Sequence, residues 1–166
     1  MLGGKRGSET IDMRLLLIAA VLGWMFQNSA SSAQPNSSTV SVASDAIAKE
    51  WFESYKRAWE LRDSQAATSM FAPNAEYRAD PFEAPLEGEK DIRRYWDDVA
   101  NVQRDVKVTF EVLSAKPGMG IVRWRAAFVR VPSGQKVELE GIAQFFLNSE
   151  GKCTRFLEWW NRKQTS

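Results

Sequence analysis

The segments IVRWRAAFVRV (121–131) and KVELEGIAQFFL (136–147) flank the tetrapeptide PSGQ (132–135). Both segments are rich in β-branched and aromatic residues, and proline and glycine mark the gap between them, so the stretch predicts a β-hairpin. Segment 106–115 alternates strongly before the hairpin, and segment 153–160 follows it after a glycine turn. The C-terminal half therefore predicts four antiparallel strands in a meander.

The N-terminal half shows helical periodicity instead. The predicted segments, in chain order, are a helix from Ser44 or Asp45 to about Asp63, a helix over 65–71, an extended stretch over 75–79, a loop over 80–88 and a helix over 89–102. The dipeptide Pro73-Asn74 is expected to stop the second helix. Because the helices come first and the strands afterwards, the pattern predicts an α+β domain with helices covering one face of a sheet.

The hairpin also predicts which side chains share a face of the sheet. A turn centred on residues 133–134 pairs Val129 with Glu138, and side chains alternate between faces along each strand. The face predicted to point inward carries Trp124, Ala126, Phe128, Leu139, Gly141, Ala143 and Phe145. The opposite face carries Arg123, Arg125, Glu138, Glu140, Gln144 and Arg155, which predicts a solvated or partner-facing surface.

The composition excludes several classes of function. The chain has 166 residues, with 22 lysines and arginines against 21 acidic residues, and this net charge of +1 does not favour nucleic-acid binding. It contains no histidine, the commonest metal ligand, and we expect neither a metal nor a cofactor. Catalysis would have to use carboxylates, tyrosine, lysine or Cys153. This single cysteine is predicted to be buried in a strand as a small hydrophobic residue.

The first residues read as a secretory leader. Met13 and the arginine after it form a short basic segment, and an apolar run over 15–26 follows. Small residues then precede a predicted cleavage after Ala33. An uncleaved anchor is the alternative. The predicted organisation is a leader over 1–33, whose true start is Met13, a flexible linker over 34–44 and a domain over 45–166. We therefore expect an exported protein, periplasmic or secreted, that does not contact a membrane after cleavage.

Three motifs resemble a known family. FAPNAEY (71–77), PFEAPLEG (81–88) and IRRYW (92–96) are similar to the signature of nuclear transport factor 2-like domains, and the closing strands resemble SnoaL-like members of that superfamily. The resemblance covers roughly Asp45 to Arg162. It implies a cone-shaped α+β fold, with N-terminal helices packed on a curved antiparallel sheet that encloses one pocket. The superfamily includes isomerases, cyclases, dehydratases and members without a known reaction, so the fold alone does not give the function.

Ketosteroid isomerase is the most informative member for comparison, because its site uses a tyrosine on the first helix, an aspartate before a proline, and a protonated aspartate on a strand. The resemblance implies that Tyr55 and Asp80 correspond to the first two. Asp80 matches only with a shift of one residue, and it is equally a residue that starts an Asp-Pro turn. Ala143 stands where the strand aspartate is expected, so only half of the oxyanion hole is present.

The resemblance also sets the register of the last strand, with Phe156, Glu158 and Trp160 on the inward face. An acid between aromatic residues takes up a proton or needs a partner, so Glu158 is a candidate acid or ligand anchor with a raised pKa. Alternatively it pairs with a basic side chain at the rim, or a register shifted by one residue points it to water. The candidate catalytic residues are thus Tyr55, Asp80 and Glu158, and the predicted pocket-lining residues are Trp59, Tyr77, Phe82, Trp96, Trp124, Phe128, Ala143, Phe145, Phe156 and Trp160.

Two functions remain open from the sequence. One is a domain that binds a small apolar molecule in its pocket without catalysis. The other is an isomerase, cyclase or dehydratase that transfers a proton on a small carbonyl compound through a carboxylate. Because related domains commonly dimerise through the outer sheet face, we also expect a homodimer.

Overall fold

The computed structural model describes residues 37–163, and the predicted leader over 1–33 lies outside these residues. Three helices and six strands follow one another within them: α1 (Ser37–Leu61), α2 (Ser64–Ser69), β1 (Phe71–Arg78), β2 (Leu86–Glu87), α3 (Gly88–Val102), β3 (Gln103–Lys116), β4 (Met119–Arg130), β5 (Lys136–Leu147) and β6 (Cys153–Arg162). No helix within 37–163 combines the length and the apolar character that crossing a bilayer requires.

The first helix is longer than predicted. It begins at Ser37, so the cap predicted at Ser44 or Asp45 is wrong, and most of the range 34–44 predicted as a linker is helical. No glycine or proline interrupts the chain from residue 36 to residue 72, so the sequence has no strong breaker there. The helix ends at Leu61, where the next residue, Arg62, adopts a left-handed φ of 56°.

The six strands form one open, curved sheet in the order β2-β1-β6-β5-β4-β3. The predicted antiparallel meander of β3 to β6 is confirmed. The sheet is mixed, however, because β1 pairs with β6 in parallel. Pro73 and Asn74 lie within β1, where the pairing with β6 shifts between Phe71 and Glu76, and such an irregularity is where a strand tolerates proline. The second helix therefore ends before Pro73, at Ser69, and strand β1 begins at Phe71.

The hairpin register differs from the predicted one by two residues. Val129 pairs with Lys136 rather than with Glu138, because the turn is centred one residue earlier in the chain. The N–H of Arg130 donates to the carbonyl of Gln135, and Gly134 occupies a left-handed φ of 70°. A shift of two residues keeps every side chain on its face, so the predicted inward and outward faces are confirmed.

One end of the inner face, which we call the packed end, is filled by the aromatic side chains of Trp51, Phe52, Phe71 and Phe145. Trp51 stacks on Phe145 with ring centroids 4.5 Å apart, and Phe71 meets Trp51 edge to face at 6.1 Å. Phe52 and Phe145 have no exposed surface. α1 packs chiefly on β3, and α3 packs on α2 and β1. These contacts leave the opposite end of the inner face, the open end, to enclose a cavity.

Candidate functional site

The cavity at the open end lies between the inner face of the sheet and helices α1 and α3, and its volume is about 210 Å³. Its walls are mostly aromatic or aliphatic, and they also carry one carboxyl group, one amide and two guanidinium groups. The lining residues are Tyr55, Trp59, Tyr77, Tyr95, Trp96, Val99, Gln103, Trp124, Phe128, Arg130, Val137, Leu139, Glu158, Trp160 and Arg162. The volume is below the range of roughly 300–1,000 Å³ that is typical of pockets for drug-sized ligands, so the cavity suits a small molecule.

Within the described part of the chain, Glu158 is the one acidic residue that lines this cavity. It lies on β6 opposite Ala143, two residues after the buried Phe156, and it is 5% exposed. The inward register is therefore observed, and the alternative in which Glu158 points to water is excluded. Within residues 37–163 Glu158 forms no ion pair, so the alternative of a basic partner at the rim does not hold either.

Burial raises the pKa of the Glu158 carboxyl from its ordinary value of 4.5 to about 8. The low dielectric of the interior disfavours the ionised form. Hydrogen bonding from the hydroxyls of Tyr55 and Tyr77 lowers the pKa and offsets part of this effect. Glu158 is thus mostly protonated at neutral pH, with an ionised fraction large enough for the same group to act as acid and as base.

Tyr55 and Tyr77 connect the first helix to the sheet beside Glu158. Their hydroxyl oxygens are 2.9 Å apart in a hydrogen bond in which either can donate, and both side chains are 1% exposed. Burial raises the pKa of both hydroxyls well above the ordinary value of 10, and the nearby Glu158 carboxylate raises it further. Tyr55 is therefore a core tyrosine with a hydrogen-bonded hydroxyl that also lines the cavity, and its catalytic role stays a prediction.

Two tryptophans of the wall have buried donors without a partner. The indole N–H groups of Trp96 and Trp124 find no acceptor within the described residues, and each side chain is 2% exposed. In contrast, Trp59 donates to the Oε1 atom of Gln103 at 2.8 Å. Leaving a buried donor unpaired costs about 1–3 kcal/mol. Trp51 has a similar unpaired N–H, but it belongs to the packed end.

The mouth of the cavity is formed by the last residues of two strands. Arg130 ends β4 and Arg162 ends β6, and both are exposed at the rim. Trp160 stands beside them, 42% exposed, and its indole N–H donates to the carbonyl of Ala79 at 2.8 Å. The cavity therefore has a buried acidic interior and a basic, solvent-facing mouth.

Asp80 and Phe82 do not take their predicted places. The Asp80 carboxylate accepts the backbone N–H of Phe82 at 2.8 Å, which is the turn-starting role, and both residues line a groove on the outer face. Phe82 is 95% exposed, so its prediction as a pocket residue is wrong. The physical reason is that the loop after β1 carries both side chains past the edge of the inner face.

Three other predicted pocket residues are buried but do not line the cavity. Ala143 and Phe156 lie under it, where Phe156 stacks on Tyr77 at 5.0 Å, and Phe145 belongs to the packed end. The predictions for Trp59, Tyr77, Trp96, Trp124, Phe128 and Trp160 agree with the observed lining.

Seven further residues line the cavity without having been predicted to do so: Tyr95, Val99, Gln103, Arg130, Val137, Leu139 and Arg162. The alternation on β4 and β6 contained the signal for both arginines. Arg130 follows Phe128 by two residues and Arg162 follows Trp160 by two residues, so each arginine lies on the same face as the predicted pocket residue before it. The signal for Tyr95 and Val99 was helical spacing, because both lie three or four residues from Ile92 or Trp96 on α3.

The outer face of the sheet carries the predicted mixture of charges. Arg125 pairs with Glu140 at 3.1 Å and Arg123 with Glu111 at 2.6 Å, and all four side chains are about half exposed or more. Ile142 and Trp159 are exposed between them at 40% and 45%. Grooves on this face are larger than the inner cavity but contain no buried acid. A homodimer through this face stays a prediction.

The remaining titratable groups offer no second centre of this kind. Cys153 is fully buried in β6 as predicted, and burial raises the pKa of its thiol to about 12. Across residues 37–163, no group of three or more Asp, Glu or Cys side chains is placed to hold a metal ion.

Sequence and structure comparisons place this site in context. The sequence model of the SnoaL-like domain family matches residues 49–156. No curated protein sequence matches the chain. Among solved structures, the epoxide hydrolase/cyclase-like enzyme SalBIII, involved in pyran ring formation in the polyether salinomycin, is similar, with a TM-score of 0.63 and 21% identity over 70% of this chain and 92% of that one. A proposed isomerase from Bacillus subtilis is similar with a TM-score of 0.62 and 17% identity, over 70% of this chain and 87% of that one.

Proposed function

Because the chain belongs to the SnoaL-like domain family, we propose that it is an enzyme that transfers a proton on a small carbonyl compound, with Glu158 as the acid and base. The observation that carries this proposal is the buried Glu158 carboxyl, with a pKa of about 8, beside the hydrogen-bonded hydroxyls of Tyr55 and Tyr77. Strongly shifted pKa values inside a cavity are typical of catalytic sites. The similarity to a proposed isomerase from Bacillus subtilis supports an isomerisation.

The chemistry follows from the two states of Glu158. In its ionised state the carboxylate removes a proton from the carbon next to a carbonyl, which forms an enolate and protonates Glu158. The developing negative charge lies on the carbonyl oxygen, which needs hydrogen-bond donors in a dry environment. The hydroxyls of Tyr55 and Tyr77, which line the cavity beside Glu158, are donors of this kind. Where a double bond lies β,γ to the carbonyl, this enolate is a dienolate, and Glu158 returns the proton to its γ carbon, which completes an isomerisation and regenerates the carboxylate.

Binding of a small apolar molecule without catalysis is the second candidate. The aromatic walls contributed by Trp59, Trp124 and Phe128 favour it, because such walls bind apolar ligands whether or not a reaction follows. The two candidates share one cavity and differ in the role of Glu158. A reaction probe that needs only a base and a donor can separate them.

We expect the protein to accelerate the isomerisation of a β,γ-unsaturated cyclohexenone to its conjugated isomer, measured by ultraviolet absorbance. This probe is uncharged, and its reaction moves one proton from the carbon beside the carbonyl to the far end of the double bond. Replacing the catalytic group with Glu158→Gln keeps the size of the side chain and removes the base. The rate should fall by about 10²–10⁴-fold, the usual contribution of general acid–base catalysis.

Glu140→Gln is the matched control, because Glu140 is an exposed acid on the outer face, paired with Arg125. It should leave the rate unchanged. If the unaltered protein does not accelerate the reaction but binds the ketone, the protein is a ligand-binding domain without catalysis. Equal rates for the Glu158→Gln variant and the unaltered protein would remove Glu158 from the mechanism.

A further inference from the structure

We propose that the natural ligand of this cavity is a small oxo acid whose carboxylate is bound at the mouth by Arg130 and Arg162, while its carbonyl group lies deeper, near Glu158. The proposal rests on the proposed function for the carbonyl end of the ligand. Three properties of the two arginines support the carboxylate end: their positive charge, their position at the mouth and the absence of an ion-pair partner within the described residues.

The positions of the arginines come from strand alternation. The inner face of β4 runs through Trp124, Ala126 and Phe128 to Arg130, and the inner face of β6 runs through Phe156, Glu158 and Trp160 to Arg162. Each strand therefore presents apolar or aromatic side chains along the cavity and ends in a guanidinium at the same mouth. Side chains at such positions reach a ligand that enters the cavity.

Neither guanidinium has an ion-pair or hydrogen-bond partner in the part of the chain that the structure describes. On the outer face, Arg123, Arg125 and Lys163 each pair with a glutamate instead. A planar guanidinium matches the geometry of a carboxylate with two parallel hydrogen bonds. The two unpaired groups are thus available for an acidic ligand.

The charge of the cavity favours the same ligand. Among the described residues 37–163, Arg130 and Arg162 are the basic lining residues and Glu158 is the acidic one. Because the raised pKa leaves Glu158 mostly protonated at neutral pH, the cavity carries close to two positive charges. A cleft lined by one sign of charge attracts the opposite sign. One carboxylate would place its negative charge at the mouth, away from the acid inside.

The distance between the two polar ends sets the shape of the ligand. Glu158 and Arg162 are four residues apart on one strand, which separates their Cα atoms by about 13 Å. Side chains from both ends shorten this gap, and aromatic walls line the part between them. The ligand should therefore have an apolar spacer between its carbonyl and its carboxylate, within a cavity of about 210 Å³.

Isothermal titration calorimetry of the full chain tests the proposal with levulinate, its longer methyl-ketone homologues and the uncharged methyl ester of each. At neutral pH and low salt, at least one acid should bind, and it should bind about tenfold more tightly than its ester. Arg130→Gln and Arg162→Gln should each lower the affinity for the acid by about tenfold and leave the affinity for the ester unchanged. Arg130→Lys and Arg162→Lys keep the charge and should restore part of the affinity.

Arg57→Gln is the matched control, because Arg57 is exposed and unpaired on α1 and does not line the cavity. It should bind the acid as the unaltered protein does. Equal affinity for acid and ester, no binding of any acid at millimolar concentration, or equal loss in the Arg57→Gln variant would overturn the proposal. The uncharged cyclohexenone assay does not depend on the arginines, so it can succeed when this proposal fails, and the acids can bind when catalysis fails.

Discussion

The two ends of the inner sheet face differ although the same strands build them. At the packed end, Trp51 and Phe145 stack at 4.5 Å, and a Cβ atom at Gly120 would lie only 2.4 Å from the Phe145 ring. At the open end the strands diverge from the helices around a cavity with a buried acid and unpaired donors. The domain thus concentrates its close packing at one end and places its buried acid and its cavity at the other. This division separates the residues that stabilise the fold from those that we assign to function.

Small residues of β5 mark the border between the two ends. Ala143 faces Glu158 across the β5–β6 pair, and Gly141 faces Trp160. A Cβ atom at Gly141 would come within 2.7 Å of the Trp160 Cβ and 3.0 Å of the Trp124 ring. Glycine at this position therefore lets two walls of the cavity approach the strand, and the cavity depends on a missing side chain as much as on those present.

The largest effect on stability is expected at the packed end. Phe145→Ala removes a fully buried ring that contacts Trp51 and Phe52, and it should lower the free energy of unfolding by about 3–5 kcal/mol. Leu139→Ala at the open end is the control and should cost less, because Leu139 is only partly buried and already borders a cavity. Urea unfolding measures both. Equal losses would mean that the two ends do not differ in packing.

The next effect concerns Glu158 and depends on pH. The folded pKa of about 8 is above the ordinary value of 4.5, so the protonated carboxyl favours the folded state, fully so below the unfolded pKa. This advantage is lost as the pH rises through the folded pKa. Because Glu158→Gln cannot ionise, its stability relative to the unaltered protein should increase by about 2–4 kcal/mol between pH 5 and pH 8 and level off above pH 8.

Melting temperatures of both proteins from pH 5 to pH 9 measure this difference. The titratable and charged groups that line the cavity around Glu158 are Tyr55, Tyr77, Tyr95, Arg130 and Arg162. The pKa values of the three tyrosines are raised above their ordinary value, so they do not titrate in this range. If the two plots of melting temperature against pH are parallel, Glu158 is solvated rather than buried. The case for catalysis by Glu158 would then be lost.

The smallest effect tests how tightly the packed end is filled. Gly120→Ala places a methyl group against the Phe145 ring and 3.0 Å from the Ala48 Cβ, so it should cost about 1–3 kcal/mol through overpacking. Gly151→Ala is a control for backbone strain alone, because Gly151 has a left-handed φ of 74° and no atom near the added methyl group. Thermal unfolding distinguishes overpacking from backbone strain if the Gly120→Ala variant has a lower melting temperature than the Gly151→Ala variant. A Gly120→Ala variant as stable as the unaltered protein would show that the packed end has room to adjust.

Local patterns in the sequence predicted much of this division. Alternation identified the inner faces of β4 and β5, and it survived a register error because the error was an even number of residues. The start of α1 and the parallel pairing of β1 with β6 depend on tertiary contacts, which no local pattern encodes. The inward position of Glu158 required a family resemblance, since strand β6 has no clear alternation of its own. The predicted place of Asp80 in the pocket was wrong, because a motif gives a residue type but not the direction of its side chain.

The order of the strands has a consequence for how the domain assembles. β6, the last strand in the chain, lies between β1 and β5, so it joins the N-terminal part of the sheet to the rest. Until β6 is available, β1 and β5 have no partner on the edges that it fills, and the carboxyl group of the site is missing. Such long-range pairing slows folding, because the entropy of closing a large loop is lost before the contacts form. The site is therefore complete only once β6 occupies its place between β1 and β5.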